Sequence, residues 1–376
     1  MSSNYQLKPE VIPLLMQLVS PMSKEEVLRT AAQLIGSDAD ASLRLWEALQ
    51  AAGLLKEAEA DAQSTIYSFG YGKGFIVHRD MLQDHARTDG FRRALEEVVR
   101  PGDTVIDVGA GSGILGFFAA RAGAGRVVLL DNTPVIHDAK MLATINGLRD
   151  VVECVQADAH DFDDGVRADV IVSEWIGFFL MEEYMYGAFT AVRDRCLREG
   201  GTVVPSGARL FLAPIDDSSL YHYYGFGFWE APVYGFDFTA GVTKQLEAMR
   251  RVVTNVPQAS IIARPWRVMD VDCLKDSMDV LHFEKAGDFV IERTGTVHGF
   301  AGWFELDLSP TVMLDTSPYA KATHWQQVYF PTPSFSVRRG DRLATTLLTE
   351  SGSLGPDITI RATLIRDGQV LHDSEH

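Results

Sequence analysis

An α/β domain followed by an antiparallel β-barrel or sandwich, with a small helical unit in front, is the fold class the sequence predicts. Three observations carry that expectation. Between Asp103 and Asn132 the pattern runs strand, glycine loop, helix, strand. After Pro205, strand-length runs separated by turns replace the helix and strand alternation. Ahead of residue 63, apolar residues keep the spacing of amphipathic helices.

With 376 residues, of which 46% are hydrophobic and 23% charged, the chain has the length and composition of a globular protein of two or three domains. A formal charge of −17 argues against a nucleic-acid or anionic-membrane partner and suits attraction of a cationic substrate. Cys154, Cys196 and Cys273 show no CxxC spacing or histidine cluster, so no metal site and no disulfide framework is expected, as in a reducing cytosol. No basic segment leads into an apolar one at the start, and no apolar run approaches about 18 residues, so a cytoplasmic protein outside the membrane is expected.

Taken in order, residues 1–62 read as a helical unit. Val11, Leu14, Leu15 and Leu18 keep helical spacing, and Ser23 with Glu26 forms a capping box for a helix that Gly36 ends. Leu43, Leu45, Trp46, Leu49 and Leu54 make a third amphipathic stretch. The succession resembles a winged-helix-like module, but the segment is not basic, which favours packing or a dimer contact over DNA binding. Residues 64–99 begin with aromatics among glycines, the composition of a mobile flap or lid, and become a helix over Asp80–Arg87 and then another. Arg87 is either a surface cation or a clamp for a carboxylate.

Val105–Val108 reads as a buried strand, Ile114–Ala122 as a helix and Arg126–Leu130 as a second strand ending at Asp131: a Rossmann-like, nucleotide-binding half. Asp131 stands 22 residues beyond Gly109, the spacing at which a carboxylate meets ribose hydroxyls. A dinucleotide loop needs glycine at positions 1, 3 and 6, yet the sixth residue from Gly109 is Ile114. Gly109, Gly111 and Gly113 instead spell G-x-G-x-G, the form found in S-adenosylmethionine enzymes, which have no pyrophosphate to cradle. Val151–Asp161 then supplies a strand whose Asp158 either accepts from an adenine amino group or simply ends the strand.

An apolar run leads into Ser173 and Glu174, placing that carboxylate at the carboxyl end of a buried strand, where open α/β sheets hold their ligands. Gly177 lets the chain double back, so Glu183, nine residues on, can face Glu174. Such a pair is a two-carboxylate clamp whose natural partner is a planar guanidinium. Without that reversal, Glu174 caps a helix and Glu183 is one more solvated acid. A helix over Tyr184–Arg198 and a Gly200-Gly201 turn into Thr202–Pro205 complete the α/β part. Arg209–Pro214, Phe289–Arg293, Phe300–Leu306, Gln326–Phe330, Arg342–Thr349 and Ile358–Leu364 read as antiparallel strands. Leu220–Phe238 is an aromatic excursion of the density that usually meets a partner.

From about Tyr67 to the C-terminus these residues resemble the protein arginine methyltransferase family; residues 1–62 fall outside the resemblance. SEWIGFFLMEE is similar to its double-glutamate loop, VIDVGAGSGIL to its cofactor loop, and HRDMLQDHART to the helix whose arginine, here Arg87, binds the cofactor carboxylate. On that helix Met81 falls where the family shapes the acceptor pocket beside the cofactor, and Met185 fits a second such position. Ala322-Thr323-His324-Trp325 resembles the threonine-histidine-tryptophan loop of the barrel, which implies a substrate-facing Trp325, and HGFAGWFEL near His298 resembles another barrel strand. Leu220–Phe238 resembles the arm that joins two subunits head to tail. One departure stands out: the family's Tyr-Phe-x-x-Tyr cover appears here with Ser68, Phe69 and Gly72, while Tyr67 and Tyr71 are each displaced by one.

After the helical unit read at 1–62, the resemblance implies a Rossmann-like S-adenosylmethionine methyltransferase domain at 63–205 and a β-barrel domain at 206–376 whose arm, 220–238, makes a homodimer. It implies methylation of a terminal guanidino nitrogen of arginine. Glu174 and Glu183 would hold the guanidinium, Glu183 would take the proton, and His324 would serve either as proton outlet or as a structural bridge. The altered aromatic cover and the extra helices favour free L-arginine as acceptor, in a biosynthetic pathway such as that of streptozotocin. Arginine in a protein is the alternative. An inactive scaffold is disfavoured because Glu174, Glu183, Arg87, Asp131 and all three loop glycines are present.

Overall fold

Short runs of valine, isoleucine and leucine without alternation suit strands covered on both faces. In the computed structural model, which describes residues 75–181, 185–239, 241, 251–351 and 356–375, they form a five-stranded parallel sheet. Its strands are β1 (Thr104–Val108), β2 (Arg126–Asp131), β3 (Val152–Gln156), β4 (Ala168–Ser173) and β5 (Leu197–Val204), in the order β3-β2-β1-β4-β5. Every neighbouring pair is parallel. The central strands β1, β2 and β4 are almost wholly buried, whereas the edge strand β3 is partly open to solvent. The order reverses at β1, so a crevice opens between the carboxyl ends of β1 and β4.

Helices α1 (Phe75–Gln83), α2 (His85–Val98), α3 (Ile114–Ala122), α4 (Val135–Ile145) and α5 (Met185–Cys196) accompany this sheet. The bounds of α3 are those expected, since Gly113 (φ 79°) and Gly123 (φ 111°) bracket it in left-handed conformations open to glycine. The helix expected over Asp80–Arg87 is instead broken at Asp84. That residue is extended (φ −72°, ψ 91°), and its carboxylate caps α2 by accepting from the Arg87 N–H at 3.0 Å.

The chain divides into two compact units, residues 1–69 and 70–376, and the described residues belong to the second. The expected helical unit at 1–62, Tyr67, Tyr71 and Glu183 lie outside the described residues.

Beyond β5 the strands pair antiparallel, as expected. Six of them, β6 (Gly207–Ile215), β7 (Val252–Thr254), β8 (Trp266–Asp272), β10 (Gly295–Asp307), β11 (Met313–Asp315) and β12 (Gln327–Val337), form one sheet. The other four, β9 (Phe283–Val290), β13 (Arg342–Glu350), β14 (Asp357–Arg366) and β15 (Gln369–Glu375), form a second. The strand expected at Phe289–Arg293 therefore lies earlier in the chain. Its polar sequence, FEKAGDFV, hides it, because only Phe289 of that run is buried. Phe289 meets the rings of Trp266 and Phe300 at 6.3 and 6.2 Å, joining the two sheets through one core.

Only Pro205 and Ser206 separate β5 from β6. Ser206 donates its N–H to the Asp307 carbonyl at 2.7 Å and accepts from the Cys273 N–H at 3.0 Å, so the join is tied to β10 and to the end of β8. The aromatic excursion comprises α6 (Ser218–Tyr224), capped by Asp217, a 3-10 turn at Gly227–Glu230 and a Val233–Phe236 bridge. At its tip Tyr234 is 97% exposed and Phe236 70%. No described helix is long and apolar enough to cross a membrane.

Candidate active site

Parallel pairing brings four expected residues to one edge, because each follows the carboxyl end of a strand. Gly109 follows β1, Asp131 ends β2, Asp158 follows β3 and Glu174 follows β4. Gly109, Gly111 and Gly113 have φ of 70°, 50° and 79°, which explains glycine at all three. Asp131 holds the loop: its Oδ2 accepts from the Gly111 N–H at 2.8 Å, and its Oδ1 accepts from the N–H and hydroxyl of Thr133 at 2.8 and 2.7 Å. Asp158 is exposed, and its Oδ1 is engaged by the His160 N–H at 2.8 Å and by His160 Nδ1 at 3.0 Å. The Ser173 hydroxyl donates to the Val108 carbonyl at 2.8 Å, fastening β4 to β1 at the crevice.

Arg87 is not a surface cation. Its guanidinium lies on Glu174, Nη2 at 2.6 Å and Nε at 3.2 Å from the same oxygen, Oε2. Glu174 Oε1 accepts from the Ile176 N–H at 3.1 Å. Met81 adjoins the guanidinium, with its carbonyl 3.5 Å from Nη1 and its sulfur 3.9 Å from Nη2. Trp325 lies 5.9 Å beneath Arg87 Cζ.

After Glu174 the chain does double back, through paired Gly177 and Leu180 N–H···O bonds of 3.2 and 3.0 Å. The left-handed position is Leu180 (φ 65°), not the glycine expected to permit the turn. Burial of Leu180 and of Phe179 before it holds that strained residue in place. Trp325, only 1% exposed, donates Nε1–H to the Ile176 carbonyl at 2.9 Å, so it supports the hairpin from beneath where an open substrate wall was expected. Met185, the first residue of α5, packs its methyl so close to Gly109 that a Cβ there would collide with it.

His324 is joined to Asp84 twice: its backbone N–H and Nδ1 lie 2.8 and 2.9 Å from Oδ2. Burial alone would raise the Asp84 carboxyl, but the hydrogen bonds from the His324 side chain and the backbone N–H groups of Arg87 and His324 outweigh it and leave its pKa below the ordinary value. One carboxylate thus fixes the break between α1 and α2 and, through α2, the origin of Arg87. Of the two readings of His324, this geometry favours the bridge.

Sequence reasoning passed over three residues here. Asp84 is one; its partner is 240 residues away, so no local pattern marks it. Another is His78, buried on α1, whose Nε2 stands 2.6 Å from where a Gly111 Cβ would be. The third is Asp107, fully buried in β1. Desolvation drives its pKa up to about 7, against the Gly116 N–H bond that lowers it and with Asp131 adding repulsion. A charged residue inside an otherwise apolar strand, VIDVG, was the available signal. Among the described residues, no group of three or more His, Cys, Asp or Glu is placed to hold a metal ion.

Comparison with known proteins divides the chain at the join between β5 and β6. Residues 206–355 match the profile of the arginine methyltransferase oligomerization subdomain, and residues 83–208 match that of ribosomal protein L11 methyltransferase. The chain is 31% identical over 300 residues to protein arginine N-methyltransferase 1 of Schizosaccharomyces pombe, covering 78% of this chain and 87% of that protein. It is 33% identical over 263 residues to protein arginine N-methyltransferase 6 of Xenopus laevis, covering 67% and 76%. Among solved structures, it is similar to the Trypanosoma brucei PRMT1 enzyme-prozyme heterotetrameric complex with AdoHcy, with a TM-score of 0.74, 26% identity, and coverage of 81% of this chain and 98% of that one. Arabidopsis thaliana protein arginine methyltransferase 10, in an open conformation, gives a TM-score of 0.71 at 26% identity, covering 81% and 97%.

Proposed function

The chain belongs to the protein arginine N-methyltransferase family, and from that premise we propose that it methylates a terminal guanidino nitrogen of arginine side chains in protein substrates. S-adenosylmethionine is its cofactor. The free L-arginine expected as acceptor gives way here to the alternative, because the similar proteins are named as protein methyltransferases and a small-molecule acceptor finds no support among them.

The observation that carries the reading is the guanidinium of Arg87 on Glu174 at the crevice of the parallel sheet. The carboxylate assigned to an acceptor arginine already holds a guanidinium in a nearly buried site, and Arg87 leaves it when each group takes its own partner. The edge also carries a loop of the cofactor's kind: its three glycines are left-handed, and a Cβ would strike Met185 at Gly109, His78 at Gly111, and Leu129 and Phe117 at Gly113. We assign Gly109, Gly111 and Gly113 to the cofactor's methionine portion, Asp131 to its ribose, Asp158 to its adenine, and Arg87 to its carboxylate. When bound, the sulfonium supplies an electrophilic methyl group.

The residues of the chain must then hold a poor nucleophile in line. Guanidinium has a pKa of about 12.5–13.8 and spreads its lone pairs over three nitrogens. Carboxylates facing two of its N–H groups draw positive charge toward those nitrogens and leave the remaining terminal nitrogen richer in electron density. Glu174 takes one side in this assignment and Glu183 the other. The methylated nitrogen is acidic in the transition state, so Glu183 accepts its proton without a strong base acting beforehand. Positioning alone supplies roughly 7–11 kcal/mol in well-oriented reactions. His324 acts as a bridge to Asp84, and Met81 and Met185 narrow the site around the transferred methyl.

The exposed aromatic tip at Tyr234 and Phe236, together with the match of residues 206–355 to an oligomerization subdomain, supports a homodimer built through the arm at 220–238. The two matches meet at residues 206–208, which supports the boundary between domains at 63–205 and 206–376.

The test is methyl transfer from labelled S-adenosylmethionine to an Arg-Gly-rich peptide and, separately, to free L-arginine, with products identified by mass. Turnover of the peptide is expected. Turnover of free arginine with a silent peptide would return the enzyme to small-molecule metabolism.

A further inference from the structure

Gly302 sits in the middle of β10, hydrogen-bonded between β6 and β12, where it pairs with Leu212 and Val328. Glycine weakens a strand interior, since it packs nothing and gains backbone freedom on unfolding. Its φ is not in the left-handed range, so conformation does not demand glycine here, as it does at Gly109 or Gly113. Space does: a Cβ on Gly302 would collide with Cε2 of Phe179 and fall 2.8 and 3.0 Å from Cδ2 and Cζ of the same ring. Phe179 is wholly buried and meets Phe330 of β12 edge-on at 5.1 Å. An aromatic side chain of the double-glutamate hairpin therefore fills a notch that the antiparallel sheet leaves by omitting one methyl group.

We propose that the Phe179 ring seated on Gly302 is the key that sets the position of Glu174, which makes both residues positioning residues for the acceptor. Three links transmit the position. Phe179 lies inside the Gly177–Leu180 bridge; the Ile176 carbonyl is held by Trp325; and the Ile176 N–H is bonded to Glu174 Oε1. The glycine loop, by contrast, follows β1 and is bonded to β2, Gly109 and Ala110 donating to the Leu130 carbonyl and Gly111 to Asp131. The β domain thereby sets the acceptor carboxylate and the parallel sheet sets the glycine loop, with Arg87, bonded to Glu174, where the two meet. The inference rests on the assignment of Glu174 to the acceptor guanidinium.

The experiment compares Gly302→Ala, Phe179→Leu, the double variant and Glu174→Gln. It measures kcat and KM on an Arg-Gly-rich peptide, S-adenosylhomocysteine affinity by calorimetry, and thermal unfolding. Gly302→Ala is expected to lower kcat by about 10- to 100-fold, the scale of an ångström-sized misplacement, with cofactor affinity changed by less than about threefold. Phe179→Leu makes room for the new methyl, so the double variant is expected to recover most of the lost kcat. Wild-type kcat in Gly302→Ala overturns the inference, as does a double variant no better than Gly302→Ala alone. Either result alongside an inactive Glu174→Gln removes the key and leaves the assignment of Glu174 standing; wild-type turnover in Glu174→Gln removes both.

Discussion

The guanidinium of Arg87 and the carboxylate of Glu174 form a buried ion pair across the mouth of the parallel sheet, with side chains 6% and 11% exposed. Replacing one partner leaves the other's charge without its counter-ion, and for buried pairs that change costs on the order of 3–5 kcal/mol. Glu174→Gln keeps the shape and still accepts a hydrogen bond, so its loss falls at the lower end. A reduced melting temperature in scanning calorimetry is expected, together with a fall in peptide methylation of about 10²-fold or more. An unchanged melting temperature would mean that the pair contributes nothing to the fold.

Asp107 makes the protein's stability depend on pH in an unusual direction. Its folded pKa of about 7 lies above the ordinary 3.8, so between those values the native state binds a proton that the unfolded chain has released. Its contribution therefore falls as pH rises from about 4 to about 7 and is level above that. Asp107→Asn keeps an acceptor for the Gly116 N–H and has no such slope. Melting curves at intervals across that range should show the variant gaining on the wild type as pH rises; parallel curves would refute the shift.

Gly111→Ala demands a left-handed alanine at φ 50° and drives its Cβ toward Nε2 of His78. The backbone penalty alone is roughly 1–2 kcal/mol, so S-adenosylhomocysteine should bind about tenfold more weakly or worse in calorimetric titration. Gly102→Ala is the control. It has φ 88° but no neighbour within 4 Å and lies at the opposite end of β1, so it should lose stability without losing affinity.

Paired substitution of Tyr234 and Phe236 by serine removes apolar surface that nothing in the described chain covers. If the arm builds the proposed homodimer, sedimentation should report a dimer for the wild type and a monomer for the variant, with the melting temperature of each protomer's core little changed. A dimer that survives the change would place the interface elsewhere.

The parts of this fold legible in the sequence are those governed by neighbours along the chain. The helix Ile114–Ala122 could be read because glycines bracket it, and β2 and β4 because Val127–Leu130 and Val170–Val172 are short apolar runs. The carboxyl-edge position of Gly109, Asp131 and Glu174 followed from strand polarity alone. What escaped depends on distant partners. Asp84 breaks a helix because His324 and the α2 N-terminus both need its carboxylate. β9 is a strand because Arg342–Thr349 pairs with it, not because FEKAGDFV looks like one. Arg87 could be read as a clamp for a carboxylate, but not that Glu174 supplies that carboxylate. The reversal after Glu174 was anticipated at Gly177, whereas tertiary packing forces the unusual backbone onto Leu180.

The two-residue join of Pro205 and Ser206 bears on how the enzyme can move. A hinge needs backbone free to change its torsions, and Ser206 is bonded on both its N–H and its carbonyl to strands of the next sheet. The join is consequently a poor hinge, which disfavours a clamshell swing of the parallel half against the antiparallel one. A covalent staple placed across that boundary, away from the crevice, would leave turnover at its normal rate.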